Sequence, residues 1–558
     1  MKLYSDAYDV FADIWQYQAD WWQRNVLFLD TLRERANIML DHEQAGLPPV
    51  LAFEYETILD ARTFEHPANY ALLRITAVGD DCLEDCVREG ARPVIVIDPR
   101  AGHGPGIGGF KRESEVGIAL HEGHPVYFVS FFPQPCPGQT LEDVLHALRH
   151  FVEDVIKRHP DTLPPVLYGN CQAGWSVVFL SADCEGLAGP AILNGSPLSY
   201  WSGEGDVNPM RLAGGLLGGA WLTHLLADLG NGNFDGAWLA QNFENLNPAN
   251  TLWGKNYRLF SNIDSERERF LGFERWWNGF YFLSKSEITS IVENLFIGNK
   301  PERGVMKVCE GCYVDLKRIR NPLIVFASSG DNITPPHQAL NWIPAIYPDT
   351  QALKGAGQRI VYLINPHVGH LGIFVSAQVA RFEHRAILES VDELERLDPG
   401  LYEMKIDNPT GNPDCQKDQF KVMFEERRVE NIQYESHPEA FDKVRQVSEF
   451  NTAVYEAFAS PWIRTMATPW SADWLKWMHP MRTSRYLYSE HFNPLLLGVA
   501  KTASLVRQSR QLPEVDNPYI DFEQQISRNI SDSLDSYRKL RDAGYENIFN
   551  LLYDRDWK

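Results

Sequence analysis

Leu163-Pro-Pro-Val-Leu-Tyr-Gly-Asn-Cys-Gln-Ala-Gly-Trp175 reads as a strand, a sharp turn and the start of a helix. Residues 166–168 form a short apolar run suited to a buried strand. Residues 169–174 supply small and polar side chains for a tight reversal, and the helical pattern begins at Trp175. A nucleophile at the apex of such a turn needs small residues two positions to either side, so that strand and helix can approach. Gly169 and Ala173 occupy those positions around Cys171. A buried structural cysteine is the rival reading of any single Cys, so the rest of the chain must decide.

On either side of this stretch the apolar runs alternate with helical segments. The β-branched run 93–98 has the composition of a strand buried on both faces of a parallel sheet. A glycine-rich loop follows at 99–109. It lacks the G-x-x-x-x-G-K-[ST] order of a phosphate-binding loop. A helix is expected over 114–121, a strand over 125–131 and a helix from Thr140, where Thr-Leu-Glu-Asp has capping-box form. Further strands are expected at 189–194, 322–329 and 359–365. Alternation of this kind indicates a parallel α/β sheet.

Three candidate residues then fall in the chain order nucleophile, acid, histidine, each just beyond a strand. They are Cys171, Asp331 and His370, the order of an α/β-hydrolase triad. An ordinary thiol is only partly ionised at neutral pH, so a neighbouring imidazole must take its proton. The amide of Gln172 and the loop Gly102-His103-Gly104 are the expected oxyanion donors. His367 is the alternative base, although Gly369 and Gly372 give His370 the freer loop. No metal site is expected. Cys309 and Cys312 form a lone C-x-x-C, and Cys82 and Cys86 only an i, i+4 pair.

The fold class expected is α/β, an α/β-hydrolase with an inserted helical cap and helical extensions at both ends. The boundaries are a helical region at 1–87, the core at 88–200 and 316–400, an aromatic-rich cap at 201–315 and a helical region at 401–558.

Composition narrows the partners. A net charge of −22 excludes a sequence-independent grip on nucleic acid. It leaves room for a polyanionic small ligand at a local basic pocket, with Arg100, Lys111 and Arg112 as candidate cations. No stretch approaches the roughly 20 apolar residues of a membrane span. The first residues carry no secretory pattern, and eight scattered cysteines suit a reducing compartment. A cytoplasmic location is therefore expected.

The chain also resembles the polyhydroxyalkanoate synthases, cysteine-dependent relatives of lipases, over about residues 90–375. The motifs are Arg92-Pro-Val-Ile-Val-Ile-Asp-Pro99, the run Gly123-His-Pro-Val-Tyr-Phe-Val-Ser-Phe-Phe-Pro133, the Cys171 box, Val314-Asp-Leu-Lys-Arg-Ile-Arg-Asn-Pro322, Gly330-Asp-Asn-Ile-Thr-Pro335 and Gly369-His370. The box departs in having Ala173 for Gly, and loop 99–109 is richer in glycine. The whole looks like a divergent group labelled poly(3-hydroxyalkanoate) synthetase-like or a domain of unknown function. The resemblance implies an acyltransferase in which Cys171 carries an acyl thioester, His370 deprotonates it and Asp331 assists. It implies a (3-hydroxy)acyl-CoA as substrate, not cofactor, and no other cofactor. A homo-oligomer and association with polymer granules complete the partner expectations. The alternatives are a thioesterase, esterase or depolymerase with the same triad, and a non-catalytic granule-binding protein.

Overall fold

The computed structural model describes residues 2–78, 81–82, 87–183, 186–205, 207–309, 312–408, 421–514 and 516–554. They fall into two compact units, each built from segments distant in sequence.

The larger unit comprises Pro49–Asp235, Tyr281–Ala472 and Tyr545–Lys558. Its strands in chain order are β1 (Glu54–Asp60), β2 (Tyr70–Val78), β3 (Asp81–Cys82), β4 (Val94–Ile97), β5 (Val126–Phe131), β6 (Val166–Asn170) and β7 (Ala191–Asn194), then β8 (Asn233–Asp235), β9 (Phe282–Ser284), β10 (Met306–Cys309), β11 (Cys312–Val314), β12 (Leu323–Ser328), β13 (Arg359–Asn365), β14 (Gly400–Asp407) and β15 (Lys421–Arg427). The main sheet runs β1-β2-β5-β4-β6-β7-β12-β13-β14-β15, with β3 beside β2. Its interior from β5 to β14 is parallel, and β2 pairs antiparallel with β5. Strands β4, β5, β6, β7 and β12 are buried along their whole length. Their continuous apolar runs follow from helices covering both faces. This order, with β2 reversed, is an α/β-hydrolase sheet, the fold class expected from the sequence.

Helices α2 (Glu115–His121), α3 (Leu141–Arg158) and α4 (Ala173–Asp183) cross between these strands. The expected capping box is present at α3. Thr140 accepts from the Asp143 amide while Asp143 accepts from the Thr140 amide. The amphipathic face of α3 buries Val144, Leu148, Phe151 and Val155.

The smaller unit is helical and comprises Met1–Pro48, Gly236–Phe280 and Asp473–Gly544. Helix α1 (Lys2–Gln44) packs Leu27 and Leu32 against Leu259, Ile263 and Phe270 and against Ala503 and Val506. Beside this core lies Glu274, fully buried, with Lys255 Nζ at 2.8 Å and an Arg35 guanidinium nitrogen at 3.4 Å. Burial pushes the Glu274 carboxyl up, but Lys255, Arg35 and Arg485 outweigh it and hold it at about 2.

Three expected boundaries change. Residues 1–87 are not uniformly helical, because β1–β3 follow α1. Residues 401–558 are not either, because β14 and β15 form an antiparallel pair at the opposite edge. These edge strands keep one face partly solvated, and β15 alternates between half-buried and exposed positions. Cross-strand pairing, not a run of apolar residues, specifies them. The segment 201–315 is not one insertion. Gly236–Phe280 groups with the terminal helices, while the flanking parts stay with the sheet unit. In the register of β10 with β11, Cys309 pairs opposite Cys312 of the C-x-x-C. Its central residues Glu310 and Gly311, and Cys86 of the other pair, lie outside the described residues.

Candidate active site

Strand β6 ends at Asn170, and Cys171 has φ 49°, the left-handed backbone that a non-glycine residue adopts only when its surroundings hold it there. What holds it is the end of β7. The Asn194 carbonyl accepts from the Cys171 amide at 2.8 Å, and the Asn194 side chain donates to Asn170 Oδ1 at 3.0 Å. Ser196 Oγ donates to the Gly169 carbonyl at 3.2 Å. The helix then leaves so close to the strand that a Cβ at Gly169 would stand 2.8 Å from Val177 Cγ2 and 2.9 Å from Gly174 Cα. A Cβ at Gly174 would collide with Ser196. The second tight position is thus Gly174, beyond Ala173.

Asp331 follows β12. Its Oδ1 accepts from the amides of Ile333 and Thr334 at 2.8 and 2.9 Å, which fixes the carboxylate's orientation. His370 follows β13. The Asn365 side chain at that strand's end accepts from the amides of His367 and Val368, setting the intervening turn. A Cβ at Gly330 would collide with the His367 carbonyl, so the acid and histidine loops pack backbone to backbone.

The three side chains meet. His370 Nε2 lies 3.1 Å from Cys171 Sγ, and His370 Nδ1 lies 2.7 Å from Asp331 Oδ2. All three are buried. The ring packs edge-on against Phe374, with centroids 5.2 Å apart. Burial lowers the basicity of this imidazole, but the Asp331 carboxylate and then the Cys171 sulfur outweigh it and raise the ring to about 10. Held this way, the ring carries its proton beside the Cys171 sulfur. His367 is exposed and is held by its backbone amide; the ring that faces the sulfur belongs to His370.

The glycine-rich loop stands over the turn. Asp98, at the end of β4, accepts from the Gly106 amide at 2.6 Å, and burial pushes its carboxyl well above the usual range. Gly108 has φ 84°, and a Cβ there would lie 2.8 Å from Asn170 Nδ2 and 3.0 Å from Glu115 Oε2. Only glycine lets the loop pass between them. The Gly102 carbonyl accepts from the Tyr281 amide at 3.0 Å, and the Tyr281 ring occupies the space a side chain at Gly104 would need. His103 is buried within this loop. Gln172 is half-buried and opens α4, where the first amides have no intrahelical acceptor. It borders a small enclosed cavity lined by Asp98, Arg100, Trp175 and Glu287.

Arg100 does not serve a surface anion. It is buried, 3.0 Å from Glu287 Oε1, and donates to Asn69 Oδ1 and the Phe282 carbonyl. Of the three candidate cations for a polyanion, Arg112 is exposed and Lys111 half-buried. Among the described residues no group of three His, Cys, Asp or Glu is placed to hold a metal ion, and no single helix is long and apolar enough to cross a membrane.

Sequence reasoning missed the braces Asn194 and Asn365, whose signal was slight: each ends an apolar run. It also missed Asp98, which could have been found as an acid between a buried strand and a glycine-rich loop.

The family model described as "Protein of unknown function (DUF3141)" matches residues 20–558. A Rhizobium meliloti protein described as "Uncharacterized protein in ackA 5'region" is 44% identical over 552 residues, covering 97% of this chain and 74% of its own length. The poly(3-hydroxyalkanoate) polymerase subunit PhaC of Haloferax mediterranei is 24% identical over 282 residues. That match covers 48% of this chain and 51% of PhaC, so the chain spans about half of that relative's length. Among solved structures, the carboxylesterase CesB (YbfK) of Bacillus subtilis is similar with TM-score 0.34 and 10% identity, over 64% of this chain and 98% of that one. A Pyrobaculum calidifontis esterase is similar with TM-score 0.34 and 13% identity, over 66% and 93% respectively.

Proposed function

We propose, from the premise that this chain belongs to the DUF3141 family, that it is a cysteine-dependent acyltransferase of the α/β-hydrolase fold. Cys171 takes an acyl group from a (3-hydroxy)acyl-CoA and passes it to a hydroxyl. The observation that carries this reading is the Cys171–His370–Asp331 array, at 3.1 and 2.7 Å.

In this reading the Cys171 thiolate attacks the thioester carbonyl. The resulting oxyanion is met by the Gln172 amide and by the loop at Gly102, His103 and Gly104. The intermediate collapses by expelling the CoA thiolate, which takes the proton from His370 Nε2, and the acyl group remains on Sγ. The acceptor hydroxyl then gives its proton to His370 Nε2 as its oxygen attacks the new thioester. Cys171 leaves as a thiolate and the imidazolium–thiolate pair is restored. Asp331 keeps Nδ1 protonated throughout, which presents Nε2 to the sulfur and the substrate. No cofactor enters these steps. The similarity to PhaC supports acyl chemistry of this kind, and polymer formation and granule association belong to the same proposal.

The test is incubation of the purified chain with 3-hydroxybutyryl-CoA, with mass spectrometry of the Cys171 peptide and analysis of products. The expected result is a Cys171 adduct of one hydroxybutyryl group, free CoA, and ester-linked product. An adduct with free acid alone assigns the chain to the hydrolases instead. No CoA release from this or from simple acyl-CoA donors overturns the catalytic reading.

A further inference from the structure

One short segment, from Asn194 at the end of β7 to Tyr200, runs past all three residues of the array. The Asn194 carbonyl holds the Cys171 amide. Gly195, with φ 51°, passes so close to the histidine that a Cβ there would stand 3.5 Å from His370 Cε1. The amides of Leu198 and Ser199 both donate to the Gln338 carbonyl at 3.0 Å. Gln338 lies on the helix Pro336–Leu340, which leads out of the Asp331 turn.

Tyr200 is fixed at the end of this segment. Its amide donates to Asn299 Oδ1 at 2.9 Å, and its carbonyl accepts from the Gln338 side chain at 3.1 Å. Its ring packs edge-on against Phe296, with centroids 4.9 Å apart. The residue is 2% exposed, yet its hydroxyl bonds to nothing among the described residues. Leaving a buried hydroxyl unpaired costs stability, and folded proteins keep few such groups. Burial pushes the phenol far above its ordinary range, and the Cys171 sulfur pushes it further the same way. The hydroxyl therefore stands within electrostatic reach of the nucleophile without being bonded to it, and it keeps its proton at every working pH.

We infer that the Tyr200 hydroxyl recognises the acyl group carried on Cys171 by donating a hydrogen bond to its 3-hydroxyl oxygen. This rests on the acyl-transfer reading above. An acyl group of that class brings two oxygens to the sulfur. The carbonyl oxygen is met, in that reading, by the Gln172 amide and the glycine-rich loop. The 3-hydroxyl, two carbons further out, is left for a donor that is near Sγ but does not touch it. Because the ring is already held by its packing, little freedom is lost when the bond forms. A site that pairs a buried group with a substrate hydroxyl also rejects the analogue lacking it, since the protein group is then left unpaired.

Single-turnover acylation by 3-hydroxybutyryl-CoA and by butyryl-CoA, read as CoA release and as the mass of the Cys171 peptide, tests the inference. The wild type should prefer the hydroxylated donor by about tenfold or more in second-order rate. Tyr200→Phe keeps the ring against Phe296 and removes only the unpaired hydroxyl, so its melting temperature should not fall. In that variant the two donors should acylate at rates within about threefold of each other, the gap that one lost hydrogen bond closes. Equal use of both donors by the wild type overturns the inference whatever the variant does. So does an unchanged preference in Tyr200→Phe, or an equal fall for both donors, which assigns the hydroxyl to the reacting carbonyl instead. Failure of both donors to acylate Cys171 removes the acyl-transfer reading itself, and the inference with it.

Discussion

His370 Nε2 and Cys171 Sγ stand 3.1 Å apart although 199 residues separate them in the chain. The sheet closes that distance. Strands β6 and β13 are parallel members of it, with β7 and β12 between them, so their carboxyl ends open on the same edge.

Replacing His370 with Gln removes the base while keeping a polar side chain of similar reach. Acylation of Cys171 by a thioester should slow by about 10² to 10⁴, the usual worth of a positioned base. Stopped-flow release of CoA measures it. Undiminished acylation would move the role to another group, His367 being the nearest in sequence.

The raised basicity of His370 sets a pH dependence. A ring held at about 10 in the fold, against an ordinary 6.5, contributes stability that is complete below pH 6.5. It is lost as pH rises through 10. Cys171→Ala deletes one of the two groups holding the ring up, so the difference between melting curves of the variant and wild type should be largest at and below about pH 6.5 and shrink as pH rises through 10.

Asp331→Asn is expected to be more damaging than its near-identical shape suggests. The amides of Ile333 and Thr334 would keep the carbonyl oxygen on their side. The new NH₂ would then face His370 Nδ1 and force the proton to Nε2, the wrong tautomer for accepting one from Cys171. A loss of about 10⁴ in turnover is expected by analogy with the same change in a serine triad. Native-like circular dichroism should accompany it.

Gly174→Ala should destabilise the sheet unit by about 1–3 kcal/mol, the cost of overpacking a filled site. The added methyl meets the Ser196 side chain, which itself braces Gly169. Ala173→Gly restores the commoner small residue and should leave acylation within a few-fold of wild type. Urea denaturation distinguishes the two.

In the helical unit, Glu274→Gln should cost about 3–5 kcal/mol at neutral pH, because Lys255 and Arg35 lose their buried counter-charge. Sign follows from the depressed carboxyl. The wild-type advantage is present above about 4.5 and disappears as pH falls through about 2. Denaturant titrations at pH 7 and pH 3 should show the gap narrowing.

Much of the candidate site was legible because each of Cys171, Asp331 and His370 stands directly after an apolar run long enough to be a buried strand. Ala173 drew attention as the small residue of the motif, whereas Gly174 is the position with no room, a fact of the neighbouring β7 turn that no local pattern encodes. The strands Glu54–Asp60 and Lys421–Arg427 went unread for a related reason. Their charged residues face water at the sheet's rims, so neither displays the continuous apolar signature of the interior. Nor could periodicity show that Gly236–Phe280 joins helices from both ends of the chain, since periodicity reports only on near neighbours.

That discontinuous helical unit bears on how the protein is made. Helix α1 is synthesised well before the residues that cover Leu27 and Leu32, which come from around 260 and 505. At the usual pace of synthesis, roughly 5–20 residues per second, the oily side of α1 waits on the order of half a minute to two minutes for its last partner. The apolar side of α1 therefore stays uncovered through most of the synthesis of the residues that follow it, and this helix is among the last to reach its final packing.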